Sequence, residues 1–229
     1  VTVNEGGLLK LNGLESTSRP LVLNGGNVEV YKADNRGYEI RRMQVTVTDD
    51  STIADKTANR VAKISLVDGD STFTVSDGKT LTVDMGTYNE KGIFGIVKKG
   101  LGEVLFLREL GHLGTNTVSA GTFTIGYNST TTNCANWIVA KDATLKVANG
   151  CSLVIPQIEL SSGAVLSLPA ASAAPLAVSN SVALAGVAVK LSAANNLSLG
   201  AAYPLVKAEN GFTGIVKIDK SQMPALAGG

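Results

Sequence analysis

Charge of one sign is the first thing this 229-residue chain lacks: Lys and Arg number 20 against 19 Asp and Glu, a formal net charge of +1. Nucleic-acid partners are recognised through a basic patch and anionic membranes through a polybasic cluster, so neither partner is expected. Charged residues make up only 17% and aromatic residues 5%, which leaves no stacking platform for bases or sugars. With one histidine and two cysteines, a zinc site built from two of each cannot form. Long apolar runs are missing as well. Residues 166–194 come nearest, but Pro169, Pro175 and Lys190 interrupt them, so they read as packed strand and no membrane insertion is expected. Amphipathic helix is nearly absent, and its best candidate, residues 51–63, lacks an apolar stripe and reads as a loop or a short turn. Disorder is excluded by a 44% hydrophobic content, and collagen by 25 glycines without a Gly-X-Y period. The chain begins at Val1 without a Met or a leader-like segment, which reads as a mature product or part of a longer polypeptide.

What is present is alternation with a period of two. Thr72-Phe73-Thr74-Val75, Thr80-Leu81-Thr82-Val83, Thr122-Phe123-Thr124-Ile125 and Thr144-Leu145-Lys146-Val147 each place apolar residues on one face and polar ones on the other. Two twelve-residue segments, TFTVSDGKTLTV at 72–83 and TLKVANGCSLVI at 144–155, superpose as strand, Asx-Gly turn, strand. More widely, Gly-x-x-apolar-x-apolar starts at Gly6, Gly25, Gly78, Gly102, Gly150, Gly163 and Gly186, with Ala120 beginning a further copy. Chance would supply about two such copies, so the pattern reads as a structural repeat. Glycine suits a corner, where the chain needs a positive φ or a close backbone approach before the next strand.

Two architectures use such a repeat. Asp77-Gly78 and Asn149-Gly150 as hairpin turns would give an antiparallel β-sandwich. The copies, however, are spaced at 19, 53, 24, 18, 30, 13 and 23 residues, several of them near the coil length of a parallel β-helix, with loops taking up the excess. In that all-β solenoid, Val, Ile, Leu and Phe stack inside while Thr, Ser and Asn face outward. At roughly 20 residues a coil the chain makes about ten coils, a rod near 50 Å long at about 4.8 Å per coil.

A family likeness favours the second architecture. GLGEVLFLRELGHLGTNTVSAGTFTIG, residues 100–126, resembles the autotransporter-associated β-strand repeat of bacterial surface proteins. The matching pieces are Gly100-Leu101-Gly102, the strand 104–107, the loop Gly114-Thr115-Asn116-Thr117 and the closing strand 117–125. The departure is Arg108-Glu109-Leu110-Gly111-His112, where the motif usually has small residues. Residues 196–229 are similar to the closing segment of passenger regions through Leu199, Gly200, Tyr203, Leu205, Phe212, Gly214 and Pro224. The resemblance implies a right-handed, single-stranded parallel β-helix, with coils over 1–198 and a C-terminal capping segment over 199–229, within which residues 199–216 are expected to form a hairpin-like unit closing the open edge. It also implies an extracellular or cell-surface location and a passenger role in adhesion or display, with a host glycan or surface protein as partner. No enzyme activity and no cofactor is expected from it. A carbohydrate-active or carbohydrate-binding module on the same scaffold is the alternative.

Individual residues add little chemistry. Cys134 and Cys151 lie seventeen positions apart, and they are either a disulfide of an oxidising compartment or two small apolar fillers. In the β-helix frame the separation is close to one coil, which favours the bridge. Asp68, Asp70, Asp77 and Asp84 read as turn residues rather than as a metal or catalytic cluster. Gly78-Lys79-Thr80 imitates a P-loop tail, but Phe73 stands where the first glycine is required. His112 reads as a solvated loop residue, Trp137 as an anchor inside a coil, and Lys98-Lys99 and Arg41-Arg42 as pairs facing water. Asn128-Ser129-Thr130 and Asn196-Leu197-Ser198 are glycosylation sequons.

Overall fold

The structure is a computed structural model that describes residues 1–12, 20–32, 39–41, 43–57, 62–89, 93–128, 136–171, 173–193, 202–215 and 217–219. Among them there is no helix, and every strand pairs in parallel with a strand one coil away. The fold is a β-solenoid, and the sandwich alternative is excluded by strand direction. Sheet one stacks eight strands, from Thr2–Asn4 to Ile158–Leu160, and sheet two stacks ten, from Leu8–Asn12 to Lys217–Asp219. Sheet three holds Glu39–Arg41, Lys63–Leu66, Gly86–Asn89 and Leu110–Gly111; further along, Leu153–Ile155, Leu176–Val178 and Val206–Ala208 form a sheet of their own. A single coil runs through Ser71–Val75, Thr80–Asp84 and Gly86–Asn89 before returning to sheet one at Ile96–Lys99. Ten strands about 4.8 Å apart make sheet two roughly 43 Å long.

The repeated glycines mark corners, not hairpins. Ser71–Val75 belongs to sheet one and Thr80–Asp84 to sheet two, and the turn between them is closed by Lys79 N–H donating to Ser76 C=O at 3.1 Å. Gly78 is the third residue of that turn, with φ +67°, a conformation that costs an L side chain about 1–2 kcal/mol. Asp142, with φ +62°, occupies the same place before Thr144–Val147. It escapes a glycine search because Asp also tolerates the left-handed region.

One copy of the repeat is out of phase. Counted from Gly102, the apolar positions are Leu105 and Leu107, yet the residues buried in that strand are Val104 and Phe106, and Leu107 is 41% exposed. A shift of one residue in a period-two pattern exchanges the two faces. Gly102 has a different reason to be glycine: a Cβ there would lie 2.1 Å from Ser76 O and 2.5 Å from Lys79 O of the preceding coil.

Register pairs set the coil length locally. Leu8 pairs with Asn27, nineteen residues on, whereas Ser51 pairs with Leu81, thirty residues on. The excess lies in loops, which explains the uneven spacing of the glycines. Two other expectations change. Residues 51–55 are a strand of sheet two rather than a loop, their alternation hidden by buried Ser51 and Asp55. The expected hairpin-like cap is, in its described part, one more coil: Val206–Ala208, Phe212–Thr213 and Lys217–Asp219 pair in parallel with the coil before.

Inside, matching positions stack into columns, as in Ile53, Val83, Phe106, Ile125 and Val147. Phe73, Phe106, Phe123 and Trp137 add an aromatic ladder, Phe106 and Phe123 lying parallel at 5.2 Å and the outer pairs edge-on at 5.8 and 4.9 Å. Such contacts add about 0.5–1.5 kcal/mol each beyond buried area. Trp137, 1% exposed, is the coil anchor its sequence context indicated. On the outside, Asp49–Lys79 and Asp84–Arg108, both at 2.7 Å, tie neighbouring coils together.

Candidate functional site

Among the described residues a concave surface lies on the outer face of sheet one. Alternation turns Gln44, Thr46, Thr72 and Thr74 outward, and parallel register puts Thr46 beside Thr74 and Thr74 beside Lys99. With Pro20 and Val45 they line a shallow trough of about 320 Å³. Hydroxyl and amide groups at a fixed rung spacing, with one ammonium at the edge, can hydrogen-bond a polar ligand. A second hollow, of about 210 Å³, lies against sheet three where Gly86 and Gly111 carry no side chains; Lys63, Arg108 and Glu109 wall it.

Beneath that hollow is a constellation that the sequence disguised. His112 is 0% exposed, correcting the expectation of a solvated loop residue. The segment 108–112 is not a free loop: Leu110–Gly111 pairs with Thr87 and Tyr88 as a strand of sheet three, and the chain then carries His112 inward. Its Nε2 lies 2.7 Å from Asn116 Oδ1, which also accepts Ile96 N–H at 3.1 Å, and its Nδ1 lies 2.6 Å from Thr87 Oγ1. Because Asn116 Oδ1 is the acceptor, Nε2 carries the proton and Nδ1 accepts from the threonine hydroxyl. Burial pushes the imidazole down to about 4, against smaller opposite pulls from the Asn116 hydrogen bond and the Asp70 charge. A hydroxyl, an imidazole and an orienting amide are the parts of a nucleophile–base pair with its positioning group. Thr87 and Asn116 are each only 1% exposed, so in this arrangement the hydroxyl meets no solvent. Asn116 Nδ2 and, one rung on, Trp137 Nε1 are buried without a hydrogen-bond partner among the described residues.

Lys98 overturns the reading of Lys98-Lys99 as a water-facing pair. It occupies an inward column of sheet one, between Phe73 and Val118, and is 0% exposed. Its Nζ donates to the carbonyls of Lys99 at 2.8 Å, Gly100 at 2.7 Å and Ala120 at 3.1 Å. Burial lowers this amine to about 8, partly opposed by the charge of Glu103. Two consecutive lysines in a strand must face opposite ways, and the outward position went to Lys99.

The remaining candidates lie apart. Asp68 sits in a turn with φ +58°, Asp70 Oδ1 accepts Gly95 N–H at 2.8 Å, and Asp84 pairs with Arg108. Asp77 is at the next corner, and among the described residues no three His, Cys, Asp or Glu side chains gather where a metal could bind. Lys79 of the P-loop lookalike is held by Asp49, and Thr80 N–H by Asp50 Oδ1 at 2.7 Å. Arg42, both sequon loops beyond Asn128, and Cys134 lie outside the described residues. Cys151 is a partly buried free thiol, its pKa raised by burial. The neighbouring Ser152 pairs with Asn128, twenty-four residues back, so a seventeen-residue separation is shorter than the coil at this corner. No family description, no curated protein and no solved structure matches the chain.

Proposed function

We propose that this chain is a scaffold that acts outside the cell, as a passenger-type segment of a bacterial surface protein. It extends or displays, and it adheres through its outer faces rather than catalysing a reaction. The observation that carries the reading is the trough on sheet one, where Gln44, Thr46, Thr72, Thr74 and Lys99 stand in register on a rigid parallel stack. A surface whose polar groups are positioned by backbone stacking binds with little ordering cost, which suits adhesion to a host glycan or surface protein. The resemblance of residues 100–126 to the autotransporter-associated repeat adds support, since that segment folds as one complete coil. The carbohydrate-active alternative would draw on Asp68, Asp70, Asp77 and Asp84, of which Asp70 is engaged by Gly95 N–H and Asp84 by Arg108.

Two measurements test it. Protease shaving of intact source cells should release fragments of this chain; recovery only from the cytoplasm refutes the location. The purified chain should bind members of a glycan and matrix-protein array, with Thr72→Arg/Thr74→Arg abolishing the binding while the circular dichroism spectrum is unchanged. Binding that survives those substitutions refutes the trough as the contact surface.

A further inference from the structure

Most of the other described corners between sheets one and two close on their own backbone, and the two beside Lys98 do not. At Asn4–Gly7, Ser76–Lys79, Ala140–Ala143 and Ser161–Ala164 the fourth N–H of the turn donates to the first carbonyl, at 2.8, 3.1, 3.2 and 2.8 Å, whereas at Asn24–Asn27 the Asn27 N–H goes to Gly7 C=O of the preceding coil at 3.0 Å. At the corner after Lys98 the equivalent N–H, Gly102, likewise goes to Val75 C=O of the preceding coil at 3.0 Å. One coil on, Thr122 N–H goes to Gly102 C=O at 3.1 Å. Both turns therefore leave carbonyl oxygens that their own backbone does not engage, next to a dry core. Buried carbonyls need donors, and an ammonium has three N–H groups with no acceptor. Lys98 supplies all three, to two carbonyls on its own coil and one on the next.

We propose that the Gly100 and Ala120 corners form a carbonyl cage specific for a primary ammonium, and that Lys98 fills this cage from inside the solenoid as a tethered cation joining two coils. The apolar stem replaces an aliphatic residue in the Phe73–Lys98–Val118 column, and the charged head serves Lys99 C=O, the first carbonyl of its own turn, together with the second carbonyls of both turns, Gly100 and Ala120. At neutral pH the amine is mainly protonated, since its pKa of about 8 lies above the medium. Glu103 is the carboxylate that acts on it, and Glu103 is itself engaged by the Thr124 hydroxyl and by Lys146 at 3.4 Å. The cage is thus held by carbonyl dipoles and not by a direct ion pair.

Cutting the side chain back should expose the cage to small amines. Urea midpoints are to be compared for the natural chain, Lys98→Met and Lys98→Ala, with n-butylammonium, n-butanol or tetramethylammonium added at matched ionic strength. Both variants should unfold at lower urea than the natural chain. Only Lys98→Ala should recover, saturably, and only with n-butylammonium, which carries both the stem and the three N–H groups. A Lys98→Met midpoint equal to that of the natural chain, or equal recovery with n-butanol or tetramethylammonium, overturns the proposal. If Lys98→Ala does not fold, acylation of the natural chain decides the matter: Lys99 should label readily and Lys98 should stay protected until unfolding. Equal labelling of the two lysines overturns it.

Discussion

Acid should loosen the solenoid through a single residue. His112 is the chain's one histidine, and its imidazole stands at about 4 in the folded protein against an ordinary 6.5. A basic group depressed on folding is neutral in both states above pH 6.5 and contributes no difference there. As pH falls below 6.5 the unfolded chain takes up the proton first, so stability is lost progressively through pH 4 and levels off below it. A shift of about 2.5 units at 1.36 kcal/mol each makes the full loss about 3 kcal/mol, a large fraction of the roughly 5–15 kcal/mol that holds a domain together. The structural reason is that His112 Nδ1 accepts from Thr87 Oγ1 and is shielded from water, so a second ring proton has no solvent to share its charge. Urea unfolding at pH 7.5, 5.5 and 4 should show this loss, and the same series on His112→Gln separates it from the carboxylates, which both proteins share. With no second histidine to overlap, the Cε1 proton resonance reports the folded-state titration directly. An imidazole that titrates near 6.5 in the folded chain, or a natural-minus-variant stability difference that stays constant between pH 7.5 and 4, refutes the reasoning.

Two further outcomes follow from corners and cysteines. Gly78→Ala should cost about 1–2 kcal/mol, because φ +67° is the whole penalty and nothing lies within 4 Å of the added methyl. Gly102→Ala should cost more, since its methyl would meet backbone oxygens of the coil before it at 2.1 and 2.5 Å; a smaller urea-midpoint shift than that of Gly78→Ala contradicts the assignment. Thiol titration of the unreduced, denatured chain should count two free thiols, Cys151 being free and its corner carrying a longer coil than seventeen residues. A count of zero restores the Cys134–Cys151 bridge.

Much of the architecture was legible because it is local. Thr72–Val75 and Thr122–Ile125 alternate visibly, and a residue with positive φ stands at most of the described turns from sheet one to sheet two, as at Gly78, Gly121 and Asp142, although Asp49-Asp50 makes that turn without one. The chemistry of the interior was less so. Lys98-Lys99 looks solvated in one dimension, yet alternation forces one of the two inward, and only the approach of Ala120 from the next coil shows that the inward amine has partners. His112 sits among Gly and Leu like any loop residue; what buries it is the pairing of Leu110–Gly111 with Thr87 and Tyr88, twenty-three residues earlier. The strand at Ser51–Asp55 was hidden by polar side chains facing inward. There Asp55 accepts Thr57 N–H at 2.8 Å and Ala62 N–H at 3.0 Å, closing a loop rather than breaking a core.

The period-two pattern with its glycine corners is enough to specify short strands turning at regular faces. Those features depend on φ, ψ and side-chain direction, which each residue carries with it. Which strand lies beside which, and so which polar groups are buried together, was decided only by the stack. Parallel pairing joins residues nineteen to thirty positions apart, and nothing within a single coil states the length of the loop that sets that distance.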